Sequence, residues 1–147
     1  MKNLACLFYS AGIVIVVASC TPVDGPAPAV SITLANIAPN AADRTVGFDF
    51  TVANSGSAAA YIPACSGVPR PDIALDGPGN AHDQISGAIC IAILSMAPYR
   101  LASGEAYSGH GSVAQRSGVR YTVIVTYTPQ PNGGEVRSAA APAFMVP

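Results

Sequence analysis

The chain has 147 residues and a formal net charge of −1, with charged residues at only 10% and hydrophobic ones at 50%. Its single lysine is Lys2, and six scattered arginines stand against eight acidic residues, so the basic stripe that nucleic acid requires is absent. The length suits one domain with a short appendage, and because much of the hydrophobic fraction is alanine, the bulky core is leaner than that fraction suggests.

Lys2 precedes an apolar run over residues 4–17. That run fits a secretory signal segment in length and is too short to span a bilayer as a helix. It closes on Val17-Ala18-Ser19-Cys20. This tetrad resembles the lipobox of bacterial lipoproteins. The resemblance implies that the small residues let a signal peptidase bind the chain closely and cut after Ser19, that the Cys20 thiolate is alkylated by a diacylglycerol donor as the first mature residue, and that several acyl chains anchor it stably. Thr21, rather than an aspartate, follows the cysteine. By the best-known sorting rule for these proteins, that implies the outer membrane of a bacterial cell envelope.

Residues 21–29 contain Pro22, Pro26, Pro28 and Gly25. This composition forbids a helix and favours extended, polyproline-like chain, so residues 20–29 read as a lipidated tether. At about 3.1 Å per residue it holds a domain roughly two to three nanometres from the membrane. Residues 30–147 then read as the domain.

Within it, Val30, Ile32 and Leu34 alternate with Ser31, Thr33 and Ala35. Val46, Phe48, Phe50 and Val52 alternate with Gly47, Asp49, Thr51 and Ala53, the strongest period-two pattern of the chain. Asn54-Ser55-Gly56-Ser57 reads as a turn, and residues 58–64 as a weaker strand running into Cys65. Pro69 and Pro71 interrupt the chain before a short strand at Ile73-Ala74-Leu75. Residues 85–96 match helical and strand spacing alike, with Gly87, Pro98 and the β-branched residues favouring a strand. Tyr121, Val123, Val125 and Tyr127 mark a second strong strand, residues 129–134 a turn-rich loop, and residues 143–146 a last strand. Strands at this spacing predict an all-β sandwich of seven to eight strands. The apolar positions 46, 48, 50, 52, 123 and 125 form its inward face.

Cysteine usage follows from the targeting reading. Cys6 leaves with the leader and Cys20 takes the lipid, so Cys65 and Cys90 remain as an even pair in an oxidising compartment. A disulfide between them is expected, worth roughly 3–4 kcal/mol in the chain-entropy picture; two buried free thiols are the alternative.

Chemistry-bearing motifs are sparse. His82 and His110 read as exposed loop histidines, the latter flanked by Gly109 and Gly111. His, Asp and Ser are formally present for a triad, but the glycine-flanked serine elbow is missing. Asp72, Asp76 and Asp83 lack the spacing of a calcium loop, and no phosphate-binding loop or metal-ligand spacing stands out. The expectation is a non-enzyme with no cofactor and no metal.

Several elements carry a second resemblance. Phe48-x-Phe50-x-Val52-x-Asn54-Ser55-Gly56, Leu101-x-x-Gly104-Glu105, Gly118-x-x-Tyr121-x-Val123 and Phe144-x-Val146 together resemble bacterial immunoglobulin-like domains, including the group related to a Bacillus intracellular proteinase inhibitor. The resemblance implies the sandwich fold. It departs from antibody domains in lacking tryptophan and in the short Cys65–Cys90 separation. Tyr121 is either a tyrosine corner or a plain core aromatic. Two functions follow: a lipid-anchored module that binds an envelope protein or serves structurally, or a protease inhibitor. A binding module would hold its partner through loops or an edge strand; an inhibitor needs an exposed rigid loop, for which Ser66-Gly67-Val68-Pro69-Arg70-Pro71, with Val68 and Arg70, is the candidate binding loop.

Overall fold

A computed structural model describes residues 25–76, 82–84, 97–116 and 118–145. The described residues are all-β. One sheet is formed, in spatial order, by β1 (Val30–Asn40), β2 (Thr45–Asn54) and β9 (Ala106–Ala114). The second is formed, in spatial order, by β11 (Arg137–Ala140), β10 (Arg120–Tyr127), β6 (Asp72–Asp76) and β7 (His82–Gln84), with β12 (Phe144–Met145) also paired to β10. These strands take the places of A, B and E in one sheet and G, F, C and C′ in the other sheet of an immunoglobulin-like sandwich. Four further strands of two or three residues form satellite ladders. β3 (Ala60–Ile62) pairs with β8 (Tyr99–Leu101), and β4 (Ala64–Cys65) with β5 (Val68–Pro69). The two main sheets hold eight strands among the described residues. The weaker strand expected at 58–64 falls on β3 and the start of β4, in the short ladders rather than in the main sheets.

The inward face is the one expected. Val46, Phe48, Val52, Val123 and Val125 are completely buried and Phe50 is nearly so. Ile32, Ile73, Leu75, Leu101, Val113 and Tyr127 close the same core. Phe144 inserts between the sheets, stacked on Tyr121 at 5.3 Å and tilted against Phe48 at 6.1 Å.

Tyr121 fulfils both roles open to it. Its ring is fully buried, and it stands second in β10, the F position. Its hydroxyl accepts the Arg116 N–H at 2.7 Å and lies 3.1 Å from the Ala114 carbonyl and 3.3 Å from that of Arg116. This is a tyrosine corner that ties β10 back to the end of β9. Tyr121→Phe keeps the ring and strands these backbone groups. It is expected to lower stability by about 1–3 kcal/mol, read as a lower urea midpoint at unchanged slope.

Three sequence-derived expectations change. His110 is not in a flexible loop but in the middle of β9, opposite Asp49 of β2. His82 and Asp83 lie on β7, not in a loop. The tether is also shorter than expected, because residues 27–29 are bonded to the domain and Pro28 is buried. The ambiguous residues 85–96 lie outside the described residues, as do Cys20 and Cys90.

Candidate binding surface

The loop around Val68 and Arg70 is a tight hairpin. Ala64 faces Pro69 and Cys65 faces Val68 across β4 and β5. Ser66 and Gly67 connect them with φ of 52° and 79°, which is the two-residue turn that matches strand twist and for which glycine is suited. A further bond, Arg70 N–H to the Pro63 carbonyl at 2.9 Å, extends the ladder toward the domain. The two residues read as one contact pair separate here. Val68 is 43% exposed beside the turn, whereas Arg70 is half-buried at the hairpin base, ahead of the buried Pro71. Cys65 is 4% exposed, so its sulfur belongs to the domain side of the hairpin. Its expected partner Cys90 falls outside the described residues.

A second exposed feature lies on the outward face of the three-stranded sheet. Asn36 Nδ2 donates to Asp49 Oδ2 at 2.6 Å, and Asp49 Oδ1 lies 2.9 Å from His110 Nδ1. The row crosses β1, β2 and β9. Asn36 reaches it because β1 bulges between Ala35 and Ala38 and places Asn36 at φ 51°. Gly47 lies beside the ring, where a Cβ would make ordinary contact at 3.4 Å from His110 Cε1. Next along the face, the Thr51 and Ser108 hydroxyls are bonded at 2.8 Å.

The hydrogen bonds from Asn36 and from His110 hold the Asp49 carboxyl below its usual range. With side chains 69% and 47% exposed, His110 and Asp49 stand in solvent rather than in a cleft. Among the described residues, nothing there excludes water from a reacting group.

The end of the sandwich where the chain enters is organised by Asn54, which is only 1% exposed. Its Oδ1 accepts the N–H groups of Ala29 and Gly56, both at 3.1 Å. Its Nδ2 faces the carbonyls of Ala58, Leu101 and Ala102 at 2.8, 3.1 and 3.2 Å. Ala27 and Ala29 carbonyls in turn accept N–H groups of Ser57 and Ser55 at 3.1 and 2.9 Å. Gly56 is required for this approach, since a Cβ there would sit 2.3 Å from Ala29 N and 2.4 Å from the Ala27 oxygen.

The Leu101-x-x-Gly104-Glu105 element is the adjoining turn. Gly104 has φ 75° and donates to the Asn54 carbonyl at 2.7 Å. Glu105 Oε2 accepts the Ala102 N–H at 2.7 Å, and Oε1 accepts the Tyr99 hydroxyl at 2.9 Å.

Glu105 is thus a turn-stabilising carboxylate. The Ala102 N–H, followed by the Tyr99 hydroxyl, holds its pKa below the ordinary value, and the same bond raises that of Tyr99. A carboxyl whose pKa is depressed by folding adds stability above its unfolded pKa and loses it as pH falls through the folded one. Glu105→Gln is therefore expected to flatten the acid limb of the stability profile below the ordinary glutamate range. Urea midpoints measured from neutral pH to below that range test this.

No protein-family model and no curated protein sequence matches the chain. Solved structures match at low identity. A structural-genomics target from Bordetella pertussis bearing the name ApaA is 15% identical, with 84% of this chain and 94% of that chain covered, at a TM-score of 0.43. A second structural-genomics target, SoR45, is also 15% identical over 80% of this chain and 84% of that one, at 0.39. The seventh PapD-like (ASH) domain of human CEP192 is 13% identical over 96% of this chain and all of that one, at 0.33.

Proposed function

We propose that this chain is a lipoprotein of the bacterial cell envelope, anchored through Cys20 in the outer membrane, whose sandwich acts as a non-catalytic protein-binding or structural module. The observation that carries this reading is the hairpin at residues 63–70. It is a self-bonded ladder that presents the apolar Val68 to solvent on a domain whose chain entry is itself clamped. Ordering costs on binding are small for so rigid a projection. A bridge between Cys65 and Cys90 is part of the proposal and would fasten the hairpin base further. Contacts with an envelope protein are expected to centre on Val68, without a cofactor.

The same geometry weighs against a protease inhibitor acting through Arg70. A loop that fills a protease cleft offers its backbone to the enzyme, whereas the Arg70 N–H is committed to Pro63 and its side chain sits at the hairpin base.

A photo-crosslinking residue placed at Val68 in intact cells is expected to give a discrete adduct with an envelope protein. Cys20→Ser is expected to abolish palmitate labelling and to lose that adduct. Unchanged labelling and membrane fractionation of the Cys20→Ser chain would remove the anchor. Inhibition of a protease by the purified domain, altered by Arg70→Ala, would replace the binding-module reading with inhibition.

A further inference from the structure

We infer that the domain is held in one orientation: the end carrying residues 27–29, the turn at 54–58 and the loop at 129–137 faces the lipid surface, and the turn at 41–44 faces away from it. The inference builds on the lipid anchor at Cys20 proposed above.

It starts from the chain entry. Residues 27–29 are not slack. Pro28 is buried, Ala29 N–H is bonded to Asn54 Oδ1, and the Ala27 and Ala29 carbonyls are bonded to the turn at 54–58. Ahead of them, Gly25 and Pro26 line a cleft of about 350 Å³ with Ala27, Pro28, Pro129 and Arg137. The loop at 129–137 therefore flanks the entry point. Paired backbone bonds between Tyr61 and Thr128, both 2.9 Å, fix the start of that loop to the same end.

Covalent reach then excludes an inverted domain. From Cys20 to the clamped Ala27 the chain spans at most about 25 Å, at roughly 3.6 Å per residue. The strand β2 runs from the entry end at Asn54 to the far end at Thr45, about 30 Å at roughly 3.3 Å per residue. An inverted domain would need its entry point at least that far above the membrane. The tether is too short to allow it. The far end, formed by the turn at 41–44 and tied to β9 by the Gln115 N–H to Arg44 carbonyl bond at 2.8 Å, is thus turned away from the lipid.

The lipid-facing loop is chemically suited to a headgroup layer. Val136 is 69% exposed, and the adjacent Arg137 guanidinium is paired with Glu135 at 3.3 Å. That pairing leaves the loop close to neutral. Contact with lipid is enforced by the high effective concentration that a short tether imposes, not by charge attraction.

The chain contains no tryptophan, so a single introduced one reports its own surroundings. Val136→Trp and Ala42→Trp place it at the two ends, each at an exposed position. The full-length acylated chains are reconstituted in phosphatidylcholine vesicles bearing a nitroxide on a fraction of the headgroups, floated, and read by fluorescence. The expected result is that both float, that Val136→Trp loses fluorescence relative to nitroxide-free vesicles, and that Ala42→Trp does not. Floating chains quenched equally, or more at position 42, overturn the orientation and leave the anchor standing. Chains that do not float overturn the anchor and this inference with it.

Discussion

Asn54→Ala is expected to destabilise the domain by about 3–5 kcal/mol, because buried amide and carbonyl groups left without partners cost about 1–3 kcal/mol each. Five backbone groups from three separate segments converge on this one side chain. Some lie near the surface and recover water, which keeps the total below the full sum. Against a usual stability of about 5–15 kcal/mol, the loss is large and reads as a lower urea midpoint. Asn54→Asp separates hydrogen bonding from packing. The introduced carboxyl keeps the acceptor side but turns a negative charge on three carbonyl oxygens, so its folded pKa rises above the unfolded one. Its contribution to stability is then present below the unfolded pKa and is lost as pH rises through the folded one. The Asn54→Asp variant is expected to gain on the parent as pH falls from its raised folded pKa to the ordinary carboxylate range. A variant as stable as the parent at neutral pH would show that the amide protons contribute little.

Phe48→Ala is expected to cost about 3–5 kcal/mol, the range for a buried phenylalanine whose cavity cannot collapse. Collapse is hindered because Phe48 packs on Phe144, which is itself stacked on the corner residue Tyr121. Phe48→Leu, closer in volume, is expected to lose less than half as much. Calorimetric unfolding of the two variants tests both the magnitude and the order. A neutral Phe48→Ala change would contradict the inward face assigned to β2.

That face was legible because β2 and β10 alternate bulky apolar residues with polar ones, which is the pattern that burial on one side of a sheet demands. β9 was not legible for the opposite reason. Two of its inward positions are Gly109 and Gly111, so the alternation has no side chains to announce it. Gly109 is small because the Phe50 ring occupies the space: a Cβ would lie 2.7 Å from Phe50 Cζ. His110, flanked by these glycines, consequently looked like a loop residue. The signal that would have found β9 is the spacing of Tyr107 and Val113 around the two glycines. The candidate loop was legible as a turn from Ser66-Gly67 and its prolines, but the division between an exposed Val68 and a half-buried Arg70 depends on how a two-residue ladder is closed at its base. Asn54 read only as a turn opener. Its partners come from residues 27–29 and 101–102, remote in sequence, and no local pattern marks that convergence.

The irregularity in β1 has a bearing on crowding. Among the described residues β1 is bonded on one side only, to β2, and a straight eleven-residue strand in that position would be a template for pairing with a copy of itself. The bulge between Ala35 and Ala38, with Pro39 just beyond it, breaks the row of outward amides into two short pieces. Molecules confined to a plane meet edge to edge far more often than molecules in bulk solution. For such a population, the kink at Asn36 acts against polymerisation as well as bringing that side chain to Asp49.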